Sequence, residues 1–98
     1  MELGDIVAER FVLERVVGSG AFGRVFHALD RETGDRVALK VIEEARREVV
    51  ERFQREVEIL ASLAHPNIVR HVASGVHAQT NPYLAMEWLD GEDLSRRI

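Results

Sequence analysis

The sequence has no cysteine, two prolines and one lysine among its 98 residues, and no apolar run is longer than four residues. Without cysteine the chain cannot form disulfides, a cysteine-ligated zinc site or a catalytic thiol, and it suits a reducing compartment. Without a long apolar run, no segment is expected to cross a membrane. The first five residues lack the basic-then-apolar order of a signal peptide, so we expect a cytoplasmic location.

Cations are also scarce relative to acids. Thirteen cations against seventeen acids give a net charge of −4, so a nucleic-acid partner is not expected. The four histidines, at positions 27, 65, 71 and 77, show no metal-ligand spacing, so no metal site is expected. Apolar residues at 46% and charged residues at 31% are typical of one small globular domain.

Apolar periodicity and turn residues predict five strands and one long helix. The strands are predicted over 11–17, 25–29, 37–42, 68–76 and 83–89, with Asn81 and Pro82 ending the last turn. The helix is predicted from about residue 44 to residue 63, where Pro66 stops it, and its apolar face consists of Val49, Phe53, Val57, Leu60 and Ala64. The expected fold is α+β, a five-stranded antiparallel sheet packed on one long helix, with a second helix starting near residue 92 and cut off at 98.

A glycine-rich segment, Gly18-Ser19-Gly20-Ala21-Phe22-Gly23, lies between the first two predicted strands. A dinucleotide-binding fold would need this segment to open a helix, and the residues that follow it favour a strand instead. In a strand–turn–strand hairpin, glycines let backbone N–H groups approach phosphates closely, because a Cβ would obstruct them. The alternative is a flexible hairpin turn with no ligand.

Lys40 is the only lysine, and it interrupts an apolar strand. With a period of two it shares a face with Ala38 and Ile42. If both faces of the strand are buried, the ammonium needs an anion nearby. The alternative is an edge lysine whose ammonium reaches water.

Glu56 falls inside the apolar stripe of the predicted helix rather than on its solvated face. A carboxylate at this position needs a cation from the sheet, and Lys40 is the simplest candidate for that cation. The alternative is local pairing with Arg52, one turn earlier on the helix surface. We expect a buried ion pair between Lys40 and Glu56.

Several motifs occur together in a fixed order. They are Gly18-x-Gly20-x-x-Gly23-x-Val25, Val37-Ala38-Leu39-Lys40, the helical Glu56, His65-Pro66-Asn67-Ile68-Val69 and Tyr83-Leu84-Ala85-Met86-Glu87. This set resembles the N-terminal lobe of a protein kinase, in the style of bacterial serine/threonine kinases of the eukaryotic type. The resemblance divides the chain into an N-terminal extension, residues 1–7, and the ATP-binding lobe of a kinase domain, residues 8–98.

The resemblance implies that ATP is the ligand. The glycine-rich segment would cover the phosphates of ATP. Its six residues are Gly18, Ser19, Gly20, Ala21, Phe22 and Gly23. Lys40 would hold the α- and β-phosphates, and an ion pair with Glu56 would position the ammonium, which makes these two the implied catalytic residues. A compact ammonium can contact a phosphate oxygen and an acid at once.

The resemblance also implies where adenine and ribose bind. Val17, Val25 and Ala38 would form an apolar roof over adenine, and Met86 would stand as gatekeeper at the back of the pocket. In the hinge, residues 87–89, the carbonyl of Glu87 and the N–H of Leu89 would bond to the adenine edge, and Asp93 would contact the ribose. Met86 and Leu89 have an equally ordinary interpretation as core residues of a strand.

The catalytic motifs of the family are absent from the sequence. A kinase needs a catalytic-loop Asp, an Asn and an Asp that hold Mg²⁺, and an activation loop, and none of these occurs here. The resemblance therefore implies that the chain stops where the second lobe begins, transfers no phosphate alone, and meets Mg²⁺ and protein substrates only through that lobe. The alternative is a stand-alone, non-catalytic module that binds nucleotide or another protein. An uncovered apolar face near Met86 and Leu89 would favour self-association.

Overall fold

The chain folds into an antiparallel sheet with a helix against one of its faces. The computed structural model describes residues 1–20, 23–44, 46–62, 70–78 and 80–88. The elements are β1 (Ile6–Val7), β2 (Phe11–Ser19), β3 (Gly23–Asp30), β4 (Arg36–Ile42), α1 (Arg47–Ser62), β5 (His71–His77) and β6 (Asn81–Glu87). Within these ranges no helix is long and apolar enough to span a membrane. Pro66 and the helix predicted from residue 92 lie outside the described residues.

The strand order in the sheet is β1-β2-β3-β4-β6-β5, and every neighbouring pair is antiparallel. The predicted α+β class is confirmed, but the predicted count of five strands is one too low for the described residues. The additional strand is β1, in which Ile6 pairs with Val12 and Val7 with Phe11. Two residues are too few for an alternating pattern to reveal a strand. Val7 is nevertheless fully buried, so the sheet extends into residues 1–7.

The predicted strands agree with β2 to β6 at their centres and differ at their ends. β2 continues to Ser19 and β3 begins at Gly23, so both strands extend into the glycine-rich segment. The predicted end of the turn between β5 and β6 is wrong, because Asn81 and Pro82, which were expected to end the turn, belong to β6. The helix begins at Arg47 rather than near residue 44.

β4 lies inside the sheet, and side chains from its two faces enter two different cores. Val37, Leu39 and Val41 project into the first core, and Ala38 and Ile42 project into the second, as the period of two predicts. The first core consists of Val7, Phe11, Leu13, Phe26, Ala28, Val37, Leu39, Val41 and Ala85. The second core consists of Val25, Ala38, Ile42, Phe53, Leu84 and Met86, with Val17, Val49, Val57 and Trp88 partly buried against it.

α1 packs on the second core through the apolar stripe of its sequence. Phe53 is 3% exposed, and Val49 and Val57 lie beside it, which confirms three of the five residues predicted for this stripe. The other two, Leu60 and Ala64, fall outside the described side chains. Burying a phenylalanine contributes about 1.5–3 kcal/mol, so this contact is the main attachment of the described part of the helix to the sheet.

The curl of the sheet brings its two edges together. β1 and β5 stand at opposite ends of the strand order, yet the N–H of Ala8 donates to Nδ1 of His77 over 2.9 Å. Ala8 and Glu9 adopt left-handed φ values of 54° and 58°, and the N–H of Arg10 donates to the carbonyl of Val7 to close this turn. The turn from β1 to β2 therefore holds the first edge of the sheet against the last.

Candidate functional site

The register of the sheet places the predicted site residues in two neighbouring rows on one face. In one row Gly18 pairs with Val25 and Val25 with Lys40. In the next row Ala38 pairs with Met86. Val25, Ala38 and Met86 are 8%, 0% and 1% exposed and belong to the second core. The ammonium of Lys40 therefore projects from the same face as a continuous apolar surface.

Val17 and Met86 complete this apolar surface from its two sides. Val17, predicted for the adenine roof, lies near the end of β2 and is partly buried against the second core. Met86 closes the other side near the end of β6. Met86 itself is not part of an uncovered face, because its side chain is 1% exposed and packs into the second core, and Leu89, also expected at that face, lies outside the described residues. Met86 therefore offers no exposed face for self-association.

The glycine-rich segment forms a tight hairpin turn between β2 and β3. Gly18 and Ser19 are the last residues of β2, Gly23 is the first residue of β3, and the N–H of Gly20 donates to the carbonyl of Gly23 over 2.9 Å. The described ends of the predicted loop, Gly18, Ser19 and Gly23, therefore belong to strands. The remaining members of the predicted site in this segment, Ala21 and Phe22, lie outside the described residues.

Gly23 and Gly20 differ in the space that a side chain would find. A Cβ on Gly23 would collide with the carbonyl oxygen of Val41, so β3 can approach β4 this closely only at a glycine. A Cβ on Gly20 would have no atom within 4 Å. Gly23 is therefore a packing requirement of the sheet. Gly20 stands in open space, so a side chain at this position would obstruct an approaching phosphate rather than the packing of the sheet.

Lys40 and Glu56 meet across the gap between the sheet and the helix. Nζ of Lys40 lies 3.2 Å from Oε2 of Glu56, and it stands 5.7 Å from the centre of the Phe53 ring. Among the described ion pairs, the partner of Glu56 is Lys40 and not Arg52, so the predicted pairing is confirmed. The expected burial is wrong, because the Lys40 side chain is 20% exposed and that of Glu56 is 49% exposed. The pair stands at the open rim of the second core.

The hinge begins where β6 ends. Glu87 is exposed, and its N–H donates to the carbonyl of Arg70 over 2.9 Å. Trp88 is partly buried against the second core. Leu89 and Asp93, which the resemblance assigns to adenine and ribose, lie outside the described residues.

The ring of Trp88 contacts two side chains that the sequence did not single out. The ring centres of His27 and Trp88 are 4.2 Å apart and tilted by 54°. The guanidinium carbon of Arg15 lies 5.4 Å from the centre of the Trp88 ring. Strand alternation could have predicted from the sequence that His27 lies on the same face as Val25. The contact of His27 with Trp88 could not be predicted in this way, because it depends on the tertiary fold.

Two ion pairs brace the ends of β3 away from the predicted site. Asp30 is fully buried, and Nε and Nη2 of Arg10 each donate to its carboxylate over 2.8 Å, which lowers the pKa of Asp30. Arg24 donates to both carboxylate oxygens of Glu43 at 2.6 and 2.9 Å, and these bonds lower the pKa of Glu43. Both acids stay ionised at neutral pH, so the pairs hold the ends of β3 to neighbouring segments.

The arrangement suits a ligand that carries both negative charge and a flat apolar part. The ammonium of Lys40 can contact an anion, and Glu56 can fix the ammonium in place. Of the three residues expected to cover adenine, Val17 is partly buried at the edge of the second core, and Val25 and Ala38 are already covered by it. In the described residues, no three acid, histidine or cysteine side chains stand together as a metal site.

Comparison with known proteins identifies the family. A sequence model of the protein kinase domain matches residues 11–98. CBL-interacting protein kinase 33 of Oryza sativa subsp. japonica is 34% identical over 88 residues, which are 87% of this chain and 19% of that protein. A serine/threonine-protein kinase of Drosophila erecta is 36% identical over 94 residues, which are 95% of this chain and 12% of that protein. The chain therefore spans less than a fifth of the length of either curated relative.

A solved structure gives the same answer. The kinase domain of Mycobacterium tuberculosis PknI matches with a TM-score of 0.70 at 30% identity, over 92% of this chain and 37% of that domain. Its agreement with the sheet and helix confirms the resemblance drawn from the motifs. This chain belongs to the protein kinase domain family, and its sheet and helix are those of the N-terminal lobe.

Proposed function

We propose that this chain is the ATP-binding lobe of a serine/threonine protein kinase, which transfers the γ-phosphate of ATP to hydroxyl groups of proteins. The observation that carries the proposal is the 3.2 Å contact between Lys40 and Glu56, beside the apolar surface of Val25 and Ala38. A cation held by a carboxylate next to an apolar surface matches the mixed chemistry of a nucleotide. The choice of serine and threonine as acceptors rests on the names of the relatives.

The phosphates bind at the end of the site formed by the glycine turn and Lys40. Residues 18–23 cover the phosphates with backbone N–H groups, and the open space around Gly20 leaves room for them. Lys40 neutralises charge on the α- and β-phosphates, and Glu56 keeps the ammonium directed toward them. Because the pair stands at the rim of the second core, the ammonium is accessible to a ligand.

Adenine binds on the apolar surface. Val17, Val25 and Ala38 cover the ring, with Met86 behind it. The carbonyl of Glu87 and the N–H of Leu89 bond to the edge of adenine, and Asp93 bonds to the ribose. Ala38 is 0% exposed in this structure, so the ring reaches it only when the side chains that cover it move apart.

Phosphate transfer requires groups that these 98 residues do not contain. The sequence has no catalytic-loop Asp and no Asn–Asp pair for Mg²⁺. Mg²⁺, when bound by a complete domain, neutralises the charge that develops on the transferred phosphate. We therefore propose that the 98-residue chain binds ATP without turnover, and that transfer depends on the family's second lobe.

Nucleotide binding is tested on the 98-residue chain by calorimetry and by the emission of Trp88, the only tryptophan. We expect ATP to bind weakly and to alter the emission, and Lys40→Met to weaken ATP binding at least about tenfold by removing a charge-assisted contact. Arg47→Met is the matched control, because its side chain is 90% exposed and lies on the outer side of α1. A flat titration to millimolar ATP would contradict nucleotide binding.

Kinase activity is tested on the product of the full reading frame. We expect autophosphorylation that Lys40→Met abolishes and Arg47→Met leaves intact. Autophosphorylation that survives Lys40→Met would contradict the role of Lys40. ATP binding without phosphorylation by the full product would favour the non-catalytic module instead.

A further inference from the structure

Three side chains from separate strands and the hinge meet at the edge of the second core. Arg15 lies in β2, His27 lies opposite it in β3, and Trp88 follows β6. His27 contacts the Trp88 ring at a centre-to-centre distance of 4.2 Å, and the Arg15 guanidinium lies 5.4 Å from the same ring. A tilted aromatic pair and a cation over an aromatic face are both favourable geometries. The hinge tryptophan is therefore attached to the two strands that carry the glycine turn.

A carboxylate lies near the His27 ring. Nδ1 of His27 lies 3.8 Å from the carboxylate of Glu14, and the same carboxylate lies 2.6 Å from Nε of Arg36. Glu14 thus stands between two side chains of neighbouring strands. The surroundings of the His27 ring therefore include side chains of three consecutive strands, β2, β3 and β4.

We propose that Arg15 and His27 are positioning residues that fix the hinge through Trp88 and thereby set the affinity for adenine. The inference rests on the proposed function, in which the groups on either side of Trp88 bond to the adenine edge. A hinge that is already held in its binding conformation loses less conformational entropy when adenine binds, so the affinity for adenine is higher. Arg15 and His27 touch no part of the nucleotide in this scheme.

The same contacts tie the hinge to the glycine turn. Arg15 and His27 form a register pair, and Gly18 pairs with Val25 two register pairs nearer the turn. A shift of β2 and β3 relative to the hinge would break the contacts with Trp88. The stack therefore keeps the phosphate-covering turn and the adenine-binding hinge at a fixed separation.

The test compares three ligands on the purified 98-residue chain, namely ATP, adenosine and inorganic tripolyphosphate. We expect His27→Ala and Arg15→Ala to weaken ATP and adenosine by about threefold to tenfold, the range for losing one ring or cation contact. Tripolyphosphate, which does not use the hinge, keeps its affinity. The emission of Trp88 shifts to longer wavelength in both variants as the ring becomes more exposed to water.

Conservative and matched variants separate positioning from folding. We expect His27→Phe to restore adenosine affinity and the Trp88 emission, because it keeps an aromatic ring on Trp88, and Arg15→Lys to restore them in part. His71→Ala and Arg31→Ala are controls, since His71 bonds to Ser74 of its own strand and Arg31 is an exposed residue after β3. If the alanine variants do not fold, the Phe and Lys variants carry the comparison.

The outcomes are distinct. Equal loss of all three ligands, or unchanged adenosine affinity in both alanine variants, overturns the positioning role while the proposed function stands. Failure of the unmodified chain to bind ATP overturns the proposed function, and the inference falls with it. Selective loss of adenosine and ATP with rescue by His27→Phe supports both.

Discussion

The backbone N–H of Ala8 donates to Nδ1 of His77 over 2.9 Å, and this bond joins the first strand edge of the sheet to the last. We expect His77→Ala to lower the free energy of unfolding by about 1–2 kcal/mol, because the partly buried N–H loses its acceptor. His77→Asn, which retains an acceptor, loses less. Urea unfolding measures the difference. His71→Ala is the control, and equal midpoints for His77→Ala and His71→Ala would contradict the closing role of His77.

Two glycine substitutions in the same turn are expected to differ sharply. Gly23→Ala forces a Cβ onto the carbonyl oxygen of Val41, so it lowers the free energy of unfolding by about 1–3 kcal/mol, the usual cost of overpacking. Gly20→Ala meets no atom within 4 Å, and its stability stays within about 0.5 kcal/mol of the wild type. Thermal unfolding of the two variants checks this order. Similar losses at both positions would show that backbone conformation, not packing on β4, decides the glycine at 23.

Asp30 makes stability depend on acid pH. Its hydrogen bonds from Arg10 lower the pKa in the folded state, so Asp30 contributes stability above the unfolded pKa of about 3.9 that is lost as the pH falls through the folded value. Asp30→Asn is expected to cost about 2–4 kcal/mol near neutral pH. The gap between wild type and variant narrows below about pH 4.

Urea unfolding at several pH values measures this gap. Glu44→Gln is the matched control, because its side chain is 50% exposed and pairs with Arg46 at the surface. A gap between wild type and Asp30→Asn that is constant from neutral to acid pH would contradict the linkage.

The Lys40–Glu56 pair is expected to matter more for the ligand than for the fold. Glu56 is half exposed, so Glu56→Gln changes the free energy of unfolding by less than about 1 kcal/mol while it weakens ATP binding. Chemical unfolding and calorimetry on the same protein separate the two effects. Glu51→Gln, which breaks an exposed pair with Arg47, is the control for stability. A large stability loss in Glu56→Gln without loss of ATP binding would reverse the assignment.

Local periodicity was sufficient to predict which residues face each other at the site. The period of two in β4 places Lys40 on the same face as Ala38, and the helical period of α1 places Glu56 near Phe53. The contact between Lys40 and Glu56 is consistent with these two periodicities. The exposure of the pair could not be predicted in this way. It depends on how closely the helix approaches the rim of the sheet, which no single repeat determines.

Contacts between distant segments carried no sequence signal. β1 is two residues long, and its neighbour Ala8 bonds to a histidine 69 positions away. The contact of Trp88 with Arg15 and His27 likewise arises only in the folded sheet, in which β4 lies between β6 and β3. The packing requirement at Gly23 was not predicted, because the collision with Val41 depends on the spacing of two strands.

The alternation of β4 has a consequence for how the sheet assembles. A slip of one residue in its pairing would exchange the two faces of the strand and drive the Lys40 ammonium into the apolar core occupied by Leu39 and Val41. Burying an unpaired ammonium there costs several times the energy of a typical hydrogen bond. The alternation of β4 therefore makes a one-residue register slip energetically unfavourable, independently of any contact between Lys40 and a ligand.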